Sequence, residues 1–224
     1  MKTPLIRAAL ALSLGALSLG TATAAQIELY ETGPAEDSSF LRFVNGGTQG
    51  LEVGASGSKA KLALDAAKPA SDFMPVKAEA DIRGTLSRGG KEAPVALKVA
   101  PGQFATVIAL GEDAPTAEIL REEPDDFNAL KASLGFYVVD AACKDAGLQA
   151  MPRQVAIFEK AADRSVQRRQ INPVALTVQL TCGGTATGEP LSLGTLEAGE
   201  RYTVFVVPGP KGSRIFQAVD SLAR

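Results

Sequence analysis

The residues through which this chain could do chemistry are few: two cysteines, Cys143 and Cys182, an arginine cluster, Arg164, Arg168 and Arg169, and the adjacent carboxylate pairs Glu36-Asp37, Glu122-Glu123 and Asp125-Asp126. There is no histidine. A serine or cysteine nucleophile therefore has no imidazole to take its proton, and two cysteines alone do not complete a zinc site. No serine stands in a GxSxG elbow and no phosphate-binding glycine loop is present, so no catalytic residue, cofactor or metal is expected. Gly54-Ala55-Ser56-Gly57-Ser58 reads as turn chemistry. A glycosidase needs two acids facing each other across a cleft, whereas these pairs are sequence neighbours in loops and read as solvated linker charge. Asp125-Asp126 lacks the alternating oxygen ligands of a calcium loop.

What remains is binding. A guanidinium grips carboxylates through two parallel hydrogen bonds, so Arg168 and Arg169, in ADRSVQRRQINP, are the contact candidates for a protein partner or an acidic polysaccharide. The alternative is an ordinary solvated hairpin. Tyr30, in a polar stretch before Pro34, is the exposed aromatic candidate, and the absence of tryptophan argues against a broad sugar-stacking platform. The even cysteine count invites a Cys143–Cys182 disulfide in an exported chain; two free buried thiols are the other reading.

Export itself is read from the first residues. Lys2 and Arg7 form a positive n-region, Ala8 to Gly20 is apolar or small, and Ala22-Thr23-Ala24 supplies small residues for cleavage after Ala24. The apolar run falls short of the roughly 20 residues a spanning helix needs, although a retained anchor is the alternative. There is no lipobox cysteine. The expected location is the bacterial periplasm, with no membrane insertion of the mature chain. Cleavage removes two basic residues and takes the formal net charge from −2 to −4, which argues against nucleic acid as a partner.

The elements that would position these residues are strands. Ser39 to Asn45 alternates and stops at Asn45-Gly46-Gly47; Leu51-Glu52-Val53 returns; Val76 to Leu86 alternates again. Val95 to Val99, Phe104 to Leu110 and Ile119-Leu120 complete a first series at sandwich spacing. A second series runs through Leu134 to Val139, Arg153 to Phe158, Val174 to Leu180, Leu191 to Leu196, Tyr202 to Val207 and Ile215 to Val219. The apolar run Val204 to Val207 predicts a strand buried on both faces. Ala60 to Ala67 is the one helical candidate, tightly bracketed by Gly57 and Pro69. The expected fold is all-β: two tandem antiparallel β-sandwich domains, 25–121 and 131–224, after a signal peptide at 1–24 and joined by a short linker at 122–130. The halves rhyme, PGQFATVIAL with AGERYTVFVV, which suggests an internal duplication.

Several motifs, in order, resemble one family. Glu28-Leu29-Tyr30, Ser38 to Asn45 (SSFLRFVN), Ser71-Asp72-Phe73-Met74-Pro75, the strand Pro101 to Leu110 and Ile171-Asn172-Pro173-Val174 are similar to the alginate biosynthesis protein AlgF family across nearly the whole mature chain. Cys143, Cys182 and the longer segment Asp140 to Arg153 depart from its pattern. The resemblance implies a non-catalytic periplasmic adaptor in O-acetylation of an exported polysaccharide, alginate or a related polymer, working beside periplasmic and membrane-bound acetyltransferase proteins. It also implies two tandem β-sandwiches. The competing reading is a free-standing periplasmic or surface β-sandwich, chaperone-like or carbohydrate-binding.

Overall fold

Alternating apolar residues broken by glycine turns leave little room for helix, and the computed structural model contains none among the residues it describes, 38–123 and 128–223. Residues 1–24, where the sequence leads us to expect a signal peptide, lie outside those residues. Eight strands form the first half: β1 Ser38–Asn45, β2 Leu51–Ala55, β3 Lys61–Leu64, β4 Met74–Lys77, β5 Ile82–Arg88, β6 Lys91–Leu97, β7 Phe104–Leu110 and β8 Thr116–Glu122. Eight form the second: β9 Ala132–Val138, β10 Ala146–Met151, β11 Val155–Ala161, β12 Ser165–Ile171, β13 Ala175–Cys182, β14 Thr185–Thr195, β15 Arg201–Gly209 and β16 Gly212–Val219.

The halves share one topology. The first half builds sheets β4-β1-β7-β8 and β3-β2-β5-β6; the second builds β12-β9-β15-β16 and β11-β10-β13-β14. Adding eight to each strand number of the first half reproduces the second half's order. In each half the first and seventh strands pair in parallel, β1 with β7 and β9 with β15, while the other pairs are antiparallel. The expected sandwiches are therefore antiparallel except for this one pair in each. The rhyme between PGQFATVIAL and AGERYTVFVV falls on β7 and β15, the same topological position.

Three cores separate four stacked sheets. Leu41, Val53, Leu86, Val95 and Val107 fill the N-terminal sandwich. Leu134, Phe136, Leu148, Val178, Val204 and Val206 fill the C-terminal one. A third core, with Val44, Ile108 and Leu120 from one half and Tyr137, Val139, Phe205 and Val207 from the other, joins the β1 sheet to the β9 sheet. Successive side chains of a strand point to opposite faces, so Val204 and Val206 enter one core while Phe205 and Val207 enter another. The run Val204 to Val207 is buried on both faces for this reason.

Two local expectations change. Val76 to Leu86 is not one strand: Glu79 adopts a left-handed φ of 58°, and the chain leaves the β1 sheet in β4 and enters the opposite sheet in β5. Ala60 to Ala67 is not helical. Leu62 and Leu64 alternate inward and the segment hydrogen-bonds to β2; a helix this short would not offset the cost of its own nucleation.

Candidate functional site

The junction between the sandwiches holds most of the buried charge. On β1, Arg42 lies between two apolar neighbours yet projects to the opposite face, with its side chain fully buried. Its Nη1 donates to Asp220 Oδ1 at 2.5 Å, its Nε to Thr106 Oγ1 at 3.0 Å and its Nη2 to Thr203 Oγ1 at 3.2 Å. Its guanidinium carbon lies 4.3 Å from the Phe73 ring centre and within reach of Tyr137 and Phe205. From the other half, Arg168 on β12 donates through Nε and Nη2 to both oxygens of Glu122, at 3.1 and 3.0 Å, and to Asp220 Oδ2 at 2.9 Å. Arg201 adds a further bond to Glu122 at 3.2 Å. A carboxylate from each half thus holds an arginine from the other.

The repeated topology explains the geometry. Arg42 pairs with Thr106 in the β1–β7 register, and Gly135 pairs with Thr203 in the equivalent β9–β15 register. A Cβ on Gly135 would lie 2.8 Å from Arg168 Nη2 and 3.1 Å from Thr203 Oγ1. One half fills the position with an arginine, and the other leaves it vacant for a guanidinium arriving from β12. Burial alone would push the Asp220 carboxyl up, but Arg42, Arg168 and the Thr203 hydroxyl together hold it below its ordinary value. Burial would lower the pKa of Arg168, and Glu122 and Asp220 reverse this and raise it. Burial pushes the Tyr137 phenol up.

This arrangement corrects two expectations. Arg168 is not a contact candidate: its side chain is 7% exposed and saturated by junction partners. Nor is Glu122 solvated linker charge. It ends β8, and its side chain is equally buried. Strand alternation is the reason. Arg168 and Arg169 are consecutive on β12, so one points into the junction and the other away from it. Tyr30, Glu36-Asp37 and Asp125-Asp126 lie outside the described residues. Glu123 is exposed.

Arg169 opens onto a groove of about 430 Å³ at the edge of the C-terminal sandwich, lined also by Lys131, Ile171, Asn172, Val155 and Val174. Arg169 donates to the Ile157 carbonyl at 3.0 Å, and Lys131 donates to Asn172 Oδ1. No acidic residue lines the groove. Val155 and Val174 are 57% and 44% exposed, so its rim is partly apolar. Sequence reasoning missed Lys131, because it is distant in the chain from the arginine cluster. Opposite this groove, Cys143 and Cys182 form a disulfide with Cα atoms 4.8 Å apart, tying the β9–β10 connection to the end of β13. Among the described residues no group of three potential ligands is placed to hold a metal.

The chain is an all-β protein of two stacked sandwiches. No family model matches it, and no curated protein matches it. Solved structures with some likeness to it include the C-terminal domain of AlgF from P. aeruginosa, at 18% identity and a TM-score of 0.36, covering 40% of this chain and 98% of that one. A protein assigned to cell adhesion from Bacteroides uniformis aligns at 10% identity and TM-score 0.28, over 84% of this chain and 99% of that one. A family CBM26 module from Eubacterium rectale Amy13K, in complex with maltoheptaose, aligns at 9% and 0.23, over 80% and 96%.

Proposed function

We propose that this protein is a non-catalytic periplasmic adaptor in O-acetylation of an exported polysaccharide, with alginate the first candidate polymer. The observation that carries the reading is the groove on the C-terminal sandwich. Ile171 and Asn172, two of the residues that carry the family resemblance, line it together with Lys131 and Arg169. Two cations, a side-chain amide and exposed valines, without an opposing carboxylate, suit an acidic partner surface or a uronate chain. The sequence motifs and the absence of any imidazole base lend the same support. An adaptor of this kind raises the effective concentration of catalyst at polymer without touching the bond that forms, and the junction would let it do so as one stiff body.

The test is the double variant Lys131→Glu, Arg169→Glu. In cells that make the acetylated polymer, it should lower polymer acetylation several-fold while the purified variant keeps its thermal transition. Normal acetylation in the variant would remove this groove from the proposal. Acetyl transfer from a small acetyl ester to oligosaccharide by the isolated protein would overturn the adaptor reading altogether.

A further inference from the structure

Sheet β11-β10-β13-β14 turns Leu148, Val178 and Leu180 into the C-terminal core, so Gly147, Gln149, Gln179 and Thr181 lie on its outer face. Gln179 and Thr181 are buried there all the same. Gln179 gives its amide to the Thr187 and Gly188 carbonyls. Thr181 is 6% exposed, and among the described residues its hydroxyl has no hydrogen-bond partner. Thr181 lines an open cavity of about 340 Å³. Its cross-strand neighbour Gly147 keeps the floor bare, since a Cβ there would lie 2.5 Å from Thr181 Oγ1. Gln149 stands beside them on β10, and Asp145, Glu159 and Lys160 supply the charged walls.

The N-terminal half is concave at the same topological position, where Glu52 and Ser87 correspond to Gly147 and Thr181. There the polar groups are spent on one another: Lys61 binds Glu52 at 2.6 Å, and Ser87 donates to Glu92 at 3.2 Å. In the C-terminal half Gly147 takes the place of Glu52 and Ala186 that of Glu92. The hydroxyl of Thr181 is thereby left without the carboxylate that Ser87 has. Among the described residues, Asp145, Gln149, Glu159 and Lys160 make no side-chain hydrogen bond or ion pair either. A bulge brings Lys160 to the wall: Gly147 faces two residues of β11, and Lys160 takes a left-handed φ of 53°. Asp145, just before β10, has a φ of 47°. Bulges re-aim side chains beside binding sites, and left-handed residues other than glycine persist where the surrounding structure imposes them.

The mixed lining selects the occupant. An anion would face the carboxylates of Asp145 and Glu159, and an organic cation the ammonium of Lys160. A metal ion would find no third ligand of its kind among the described residues. An apolar ligand would strand the Thr181 hydroxyl and the Gln149 amide. A peptide strand would find no free edge, because β10 and β13 are each paired on both sides. A compound whose own donors and acceptors sit close together satisfies all of these groups at once. The geometry points to a site for one pyranose unit of a neutral saccharide, its vicinal hydroxyls meeting Thr181, Gln149, Lys160 and the two carboxylates. The volume lies within the range of small-ligand pockets. This site is separate from the groove of the adaptor proposal and stands or falls independently of it.

Backbone amide shifts of the isotope-labelled chain report the site during titration with maltotriose, cellotriose and mannotriose, with trigalacturonate and glycerol as parallel arms. At least one neutral trisaccharide should give saturable shifts centred on Gly147, Thr181 and Gly183. Thr181→Val, which keeps the shape and removes the hydroxyl, should weaken that binding about fivefold, the worth of one hydrogen bond. Gln149→Ala should do the same and serves as the second variant if Thr181→Val does not fold. Lys131→Glu with Arg169→Glu should leave the affinity unchanged, which separates this site from the adaptor groove. No saturable shift at these residues with any neutral trisaccharide overturns the proposal, as does full affinity in both site variants. Loss of binding in the groove variant moves the sugar to the groove and overturns it likewise. Equal shifts with glycerol at the same concentration show an adventitious additive only, and tighter binding of trigalacturonate overturns the assignment of a neutral unit.

Discussion

Asp220 receives Arg42 and Arg168 on its two oxygens, with its side chain 1% exposed. Removing one partner of such a buried cluster strands the others, so Asp220→Asn should cost about 3–5 kcal/mol of stability by denaturant titration. A smaller perturbation tests the same packing. Gly135→Ala places a methyl against the Arg168 guanidinium, which Glu122 and Asp220 hold in position, and should cost about 1–3 kcal/mol, as overpacking does. The pH dependence has a definite sign. The folded carboxyl of Asp220 is held below its ordinary value. Its contribution is therefore fully present above about pH 4 and is lost as pH falls through the depressed folded value. Denaturant midpoints should drop on acidification below about pH 4, and Asp220→Asn should lose part of that drop.

At the scale of elements, β12 shows how a strand divides neighbouring residues between two tasks. Arg168 faces the junction and Arg169 faces the groove, so the two substitutions should separate cleanly. Arg168→Ala should destabilise the protein, whereas Arg169→Ala should leave the thermal transition within about 0.5 kcal/mol of the unaltered chain, as exposed positions do. The disulfide acts at the same scale. It spans 39 residues, and in the chain-entropy model such a closure stabilises by about 4 kcal/mol. Reduction, or Cys143→Ser with Cys182→Ser, should lower stability by up to that amount, and thiol titration of the unreduced native protein should find no free cysteine.

For the whole molecule, the repeated eight-strand topology and the buried core between halves make the sandwiches behave as one body. Val44 and Tyr137 occupy equivalent strands, β1 and β9, and Ile108 and Phe205 occupy β7 and β15. The two halves therefore meet through corresponding faces, the arrangement of a two-fold dimer carried in one chain. Extra ties reinforce it: Phe73 pairs with the C-terminal segment at Ser221 and Ala223, and Arg214 donates to the Gly46 and Gly47 carbonyls. Unfolding should be a single transition followed by both near- and far-ultraviolet signals. Two separate transitions in the unaltered chain would show that the junction does not couple the halves.

The all-β class, most strands and the double-faced burial of Val204 to Val207 were legible in the sequence, because strand period and glycine turns are local properties of the chain. The candidate disulfide was legible as well, from an even cysteine count in a chain read as exported. The fate of charged residues was not. Arg42, Glu122 and Asp220 are distant in sequence, and only the stacking of one sheet on another converts them from apparent surface charge into a buried network. β10 and β12 were missed: Asp145-Ala146-Gly147 reads as a turn along the sequence although Ala146 and Gly147 open β10, and the arginine-rich run obscures the alternation of β12. The break at Glu79 escaped notice because a left-handed residue in an alternating run leaves no local mark. The groove and the open cavity depend on which edges close and which side chains meet across a sheet. Those are long-range pairings, and a sequence read along its length carries their ingredients without their addresses.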